Sequence, residues 1–212
     1  PLLLFLHHEH LFGWAAYYPW RTTPEGIYYS LAKGFSAGLM PAIARSQIVA
    51  WRKESPETLE KYLKLFQSCM EGYRGVARDA LMYGRMMRPL DLDVPAVKFT
   101  FHATPQNGAS QPVRDGGLEQ SFPAVLNSVW LTPDGRTMIV LINHTFQDHS
   151  LEIDLSRAPG WSSRARAQWV DPSGKRPLAG GKPTATVPSL SLRTIEFRNN
   201  KPLDNQWQRE LA

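Results

Sequence analysis

Cysteine is almost missing from this 212-residue chain: Cys69 stands alone, which excludes an internal disulfide and any zinc site built on thiolates. Long apolar runs are missing too. The first, residues 2–6, stops at His7-His8, so it is far too short to span a bilayer, and it carries neither the basic flank nor the small-residue cleavage site of a signal peptide. Charge of one sign is scarce: 24 Lys and Arg against 19 Asp and Glu leave a net charge of +5, spread evenly along the chain. No run of basic residues interleaved with aromatics makes a nucleic-acid track. There is no Gly-x-Gly-x-x-Gly, phosphate loop, Gly-x-Ser-x-Gly elbow, EF-hand, internal repeat or low-complexity linker. What is present is globular, with 42% hydrophobic residues, 7 Trp, 7 Tyr and 9 Phe, enough to fill a core without staples.

The chain opens inside a strand-like apolar run, 2–6, whose lack of alternation fits a strand buried on both faces of a parallel sheet. An aromatic loop follows. Thr23 then stands as N-cap and Pro24 at the first helical position, and Ile27, Tyr28, Leu31 and Phe35 recur at helical spacing up to Gly38. The pattern repeats once: residues 39–44 suit a second buried strand, 45–54 a polar-rich connection, and Ser55-Pro56 open a second helix. That helix carries Leu59, Tyr62, Leu63, Phe66, Met70 and Tyr73 on one face and runs to about Met87, with a break at Gly72 or Gly75. Two strand-helix units cannot close a sheet alone. A (β/α)₈ barrel needs about 250 residues, so residues 1–94 are read as the C-terminal portion of a barrel catalytic domain, its last two βα units, with the remainder of the same polypeptide upstream.

From Val94 the texture changes. Short β-branched or alternating runs at 97–102, 124–131, 137–144, 150–155, 165–170 and 190–197 are separated by turn signals such as Thr132-Pro133-Asp134-Gly135 and Asp171-Pro172-Ser173-Gly174. Leu151, Ile153 and Leu155 alternate with Glu152 and Asp154, the mark of a strand with one wet face. Residues 95–200 are therefore expected to form an antiparallel β-sandwich, and 201–212 a C-terminal tail.

The densest chemistry lies in His7-His8-Glu9-His10. On a strand, His7 and Glu9 share one side and His8 and His10 the other. Barrel active sites sit at the C-terminal ends of the strands, which makes Glu9 the catalytic candidate; a structural hydrogen-bond network is the plain alternative. Three His and one Glu are also metal donors, but the His-Glu-x-x-His spacing is absent, Phe12 occupying the place of the second His, and neither a metal nor another cofactor is assigned. In the loop that follows, Trp14, Tyr17, Tyr18 and Trp20 offer flat apolar faces with polar handles, suited to stacking on sugar rings. After the second expected strand, Arg45 and Gln47 would face the same mouth and bind hydroxyls or orient a carboxylate. His144 and His149 flank a turn at 146–148, where solvated loop residues are expected. Glycoside hydrolysis needs two carboxyl groups across the scissile bond, and no second carboxylate shares a strand-end position with Glu9.

Taken in order, His8-Glu9 at a strand end, an aromatic loop, a helix leading to Ala37-Gly38-Leu39-Met40-Pro41, a long helix, and then Ser128-Val129-Trp130, Asp134-Gly135-Arg136 and Leu141-Ile142-Asn143-His144-Thr145 resemble the C-terminal third of large bacterial barrel glycoside hydrolases. In particular the chain resembles a family with a domain of unknown function in which a Tyr-His-Glu segment ends a late barrel strand; here His7 replaces the Tyr. The resemblance covers most of residues 1–200. It implies an intact barrel followed by a β-sandwich, a carbohydrate substrate, a secreted or extracytoplasmic location, and main catalytic acids upstream of these residues, with His7 and His8 beside Glu9 at the substrate mouth. The rival reading is a non-enzymatic carbohydrate- or protein-binding β-sandwich module with a helical cap.

Overall fold

A computed structural model describes residues 14–16, 24–43, 45–101 and 118–198. Two short strands, β1 (Trp14–Ala16) and β2 (Met40–Ala42), pair in parallel, Trp14 opposite Met40 and Ala16 opposite Ala42. Parallel neighbours require a crossover, and helix α1 (Pro24–Ser36) lies in the connection. It starts at the proline that fixes a helical φ, with Glu25 in its first turn and Lys33 in its last complementing the helix dipole. Ile27, Tyr28, Leu31, Ala32 and Phe35 are buried at the expected spacing.

The connection expected over 45–54 is instead a helix, α2 (Arg45–Glu54). Its polar composition hides a buried anchor, Trp51, whose ring meets Tyr62 edge-on at 5.2 Å. Helix α3 (Pro56–Arg74) follows Ser55 as expected, but its inner face differs in detail: Leu65 and Cys69 are fully buried, whereas Leu63 is 39% exposed. Burial pushes the Cys69 thiol up, out of the reactive range. The helix does not run on to Met87. It stops at Arg74, where the Gly75 N–H bonds the Glu71 carbonyl at 2.9 Å; a six-residue helix α4 (Arg78–Tyr83) follows, and Arg85–Met87 form strand β3.

The remaining strands are β4 (Ala96–Phe101), β5 (Leu118–Pro123), β6 (Val125–Leu131), β7 (Arg136–Asn143), β8 (His149–Glu152), β9 (Gln168–Asp171), β10 (Gly174–Pro177), β11 (Thr184–Val187) and β12 (Ser191–Arg198). Six of the strands form an antiparallel sheet in the order β10-β9-β12-β7-β6-β3, while β4 pairs with β5 and β8 with β11. Two of the turns are those the sequence marks. At Thr132–Gly135 the chain reverses with Gly135 at φ +81°, a conformation that costs glycine nothing, and Pro172-Ser173 close the β9–β10 hairpin, where Asp171 Oδ1 accepts from the Ser173 N–H at 3.0 Å.

Both faces of this sheet are covered, as the apolar run Met138–Ile142 in β7 requires. Met138, Val140, Ile142 and Trp130 point to the helices and pack with Phe35, Tyr62, Leu65 and Cys69. Ile139, Leu141, Val125, Val129, Ile195 and Phe197 point the other way, onto Leu151, Ile153, Leu155, Ala185 and Val187. The architecture is thus a mixed one, a helical layer on an antiparallel sheet, joined to one parallel βαβ unit. Among the described residues no helix is long and apolar enough to cross a membrane.

Candidate functional site

In the βαβ unit the chain leaves β1 after Ala16 and enters α1 at Pro24, so the first turn of α1, with Glu25, belongs to the edge where β1 ends. β2 ends at Ala42, and Arg45 opens α2 at the corresponding edge. Parallel-sheet proteins place ligands at strand ends of this kind. Arg45 is exposed there. Gln47 lies on α2 rather than on a connection, and Trp14 lies in β1 rather than in the aromatic loop. Glu9, His7, His8, Tyr17, Tyr18 and Trp20 lie outside the described residues, as do the strand expected at 2–6 and the tail.

Beside Glu25 the structure brings together a groove of about 380 Å³ from distant parts of the sequence: Pro95 to Lys98 at the start of β4, His144 to Gln147 after β7, and His149. Behind its lining residue His144 lies an aromatic cluster. Tyr29 of α1 stacks obliquely on Phe122 at 4.2 Å, Phe122 on Phe99 at 4.8 Å, and the His144 ring meets Tyr29 edge-on at 5.4 Å. Phe146 is 41% exposed, with the Lys61 ammonium 4.3 Å from its ring centre and Tyr28 against its edge. Burial pushes the Tyr28 hydroxyl up to about 12, against its hydrogen bond to the Thr58 carbonyl, so it remains a donor.

The histidines are not solvated turn residues. His144 is 2% exposed, and its Nε2 sits 2.8 Å from the Pro123 carbonyl, a contact that makes Nε2 the protonated nitrogen. Burial holds its pKa below the ordinary histidine value, more than the hydrogen bond to Pro123 raises it, so the ring is neutral at neutral pH. His149 Nε2 lies 2.9 Å from Thr145 Oγ1, which in turn donates to Asn143 Oδ1 at 2.8 Å. Asn143 is held from its other end, donating to the carbonyls of Gln147 at 2.7 Å and Val187 at 3.0 Å. The loop bearing Phe146 is therefore fixed from within. No local signal marks His144, at the edge of the expected turn at 146–148, as buried, because the residues against it, Tyr29 and Pro123, are remote along the chain.

Chemically the groove offers an apolar wall, the neutral His144 imidazole, the His149 ring and one carboxylate, Glu25, together with the Lys98 ammonium. Acid-base hydrolysis of a glycoside takes two carboxyl groups, and among the described residues Glu25 is the one carboxylate that lines the groove. Among the described residues no three His, Cys, Asp or Glu side chains converge as metal ligands.

No protein-family profile matches the sequence, and no curated protein matches it. Similar solved structures are glycoside hydrolases. They include a GH51 arabinofuranosidase from Xanthomonas axonopodis pv. citri (15% identity, 63% of this chain and 26% of that one, TM-score 0.37) and a GH30 endoxylanase from Clostridium papyrosolvens (15%, 87% and 41%, 0.38). A third is an alpha-amylase from Geobacillus thermoleovorans in complex with acarbose (12%, 84% and 34%, 0.43). The chain spans less than half the length of each, and likenesses this partial transfer neither substrate nor site.

Proposed function

We propose that this chain is the C-terminal portion of a glycoside hydrolase, in which the βαβ unit belongs to a (β/α)₈ barrel, residues 95–200 are an appended β-sandwich, and Glu9 is a catalytic or substrate-holding carboxylate. The observation that carries the reading is the parallel β1–β2 pair with its crossover helix. Among the described residues no further strand pairs with either edge of β1–β2, a state that the next strands of a barrel would relieve. The order of motifs from His8-Glu9 to His144-Thr145 supports the same reading. The substrate mouth would be lined by His7, His8, Trp14, Tyr17, Tyr18, Trp20, Arg45 and Gln47, with the groove beside Glu25 at its margin.

The decisive measurement is the intact denatured mass of the protein from its native source. A mass well above 24.0 kDa is expected; a mass near that value would leave too few strands for a barrel and sink the reading. In the complete protein, Glu9→Gln is expected to lower kcat on aryl glycosides at least a hundredfold with Tm unchanged, the range typical of losing an acid-base group. An active variant would remove Glu9 from catalysis.

One observation favours the rival, a self-contained binding module: the helices and the six-stranded sheet share one core, with Trp130 and Val140 packed among residues of α1 and α3. A native mass near 24.0 kDa together with saturable binding of oligosaccharide and no turnover would establish it.

A further inference from the structure

The face of the six-stranded sheet that carries Met138, Val140 and Ile142 is apolar only where helices cover it. Beyond them, toward β9 and β10, the same face turns charged and opens into a cleft of about 500 Å³. Five cationic side chains line it, Arg136, Arg164, Arg166, Lys175 and Arg198, against two carboxylates, Asp134 and Glu196.

The two carboxylates are already committed. The Glu196 side chain is 3% exposed; it accepts from Arg136 Nη1 at 2.9 Å and from Gln168 Nε2 at 2.6 Å, and pairs with Lys175. Burial raises its pKa, but the hydrogen bonds from Lys175, Arg136 and Gln168 together outweigh that and hold it below the ordinary glutamate value, so it stays ionised. Asp134 accepts from Arg136 Nε at 2.7 Å and from Thr132 Oγ1 at 2.6 Å. Arg136 is thereby locked in a three-carboxylate fork, its third partner being Asp79 of α4 at 3.0 Å. Three further cations are not neutralised: Arg198 reaches Asp134 only at 4.0 Å, and Arg164 and Arg166 have no carboxylate partner among the described residues. Arg164 and Arg166 are two apart in the loop before β9, so the cleft holds three guanidinium groups in excess over the ion pairs of Glu196 and Arg136.

We infer that this cleft binds an oxyanion group, a carboxylate or a sulfate or phosphate ester, carried on a soluble ligand. Guanidinium groups match such groups with paired, charge-assisted hydrogen bonds, and the Glu196 network prevents the ligand from being mimicked by the protein's own carboxylates. The surface is concave and small, which suits a single acidic unit of an oligosaccharide rather than a nucleic-acid track. The site is separate from the strand-end mouth and stands whether or not the barrel reading does.

The test is calorimetric titration of the complete protein with trigalacturonate, with inorganic sulfate and phosphate, and with neutral xylotriose, at low salt and at 0.5 M NaCl. Saturable binding of an oxyanion probe is expected, weakened by salt and at least tenfold weaker in Arg164→Ala/Arg166→Ala, whose Tm should match the wild type; Arg164→Lys/Arg166→Lys should retain part of it. Tight binding of trigalacturonate alone assigns the oxyanion to an acidic saccharide, and equal binding of free sulfate or phosphate assigns it to a small anion. Absence of binding by every oxyanion, equal binding of xylotriose, or affinity unchanged in the double Ala variant would overturn the proposal.

Discussion

Along β12, Leu192, Thr194, Glu196 and Arg198 share one face of the sheet, yet Leu192 and Glu196 meet opposite surroundings. Leu192 lies under α3, where its N–H donates to Ser68 Oγ at 2.9 Å and its Cδ2 comes within 3.1 Å of where a Cβ on Gly72 would stand. Four residues on, Glu196 is buried more deeply than the half-buried Leu192, and by cations instead of a helix. The alternation that defines a strand therefore decides which side chains face the layer above, and the reach of that layer decides what they must be. Apolar area is removed from water where helix contacts it; past the helix edge a buried position survives only with every charge partnered.

Removing the largest side chain between the layers should break the covered half most severely. Trp130 is fully buried, with its Nε1–H donating to Ser128 Oγ at 2.9 Å. Trp130→Ala is expected to lower unfolding free energy by about 3–5 kcal/mol, through lost transfer energy and the cavity left behind. Urea denaturation followed by far-UV dichroism would measure it, and a loss under 1 kcal/mol would show that the helical layer is not anchored there.

Exchanging the two environments sharpens the contrast. Leu192→Glu would put a carboxylate beneath α3 with Gly72 too close to give way, and about 2–3 kcal/mol of destabilisation is expected. Glu196→Gln keeps the shape but removes the charge that Arg136 and Lys175 answer, and about 1–2 kcal/mol is expected at pH 7, since Lys175 remains half in water. The latter loss must depend on pH. Because the folded pKa of Glu196 lies below its ordinary 4.5, its contribution is complete above about pH 4.5 and is lost as pH falls through the depressed value. The stability difference between wild type and Glu196→Gln should accordingly shrink below pH 4.5; a constant difference down to pH 2 would mean that the charge is not what stabilises.

The same contrast explains which parts of the molecule could be read in advance. Strands β6, β7 and β12 carry their own β-branched and apolar pattern, and α1 and α3 their own period and proline starts, so local signals sufficed. β3 did not announce itself: Arg85–Met87 is a strand only because Met86 pairs with Trp130, forty-four positions away. β10 is exposed along its whole length and offers no apolar alternation. α2 hides behind its polar composition. The charged cleft was illegible for a stronger reason, since Glu196 meets its partners across 60, 28 and 21 positions, and no window of sequence holds more than two of them. Toward the N-terminal end the opposite holds: Glu9 and the aromatic residues stand out as chemistry along the chain, while the groove beside Glu25 emerges only when α1, β4 and the loop after β7 are assembled.

The smallest effect is expected where the two halves are joined. Asp79 of α4 reaches Arg136 Nη2 at 3.0 Å, tying the end of the helical layer to the rim of the cleft. Its side chain is 59% exposed, against 3% for Glu196, although both carboxylates hold the same guanidinium. Water already solvates Asp79, and Arg136 keeps two other partners when it is lost. Asp79→Asn is therefore expected to cost no more than about 0.5 kcal/mol, the ordinary worth of an exposed pair. Measured in a cycle with Glu196→Gln, the two losses should couple, because removing one carboxylate leaves the shared guanidinium more dependent on the other. Strict additivity would mean that Arg136 does not link the layers, and that the cleft floor is set by β12 and β9 alone.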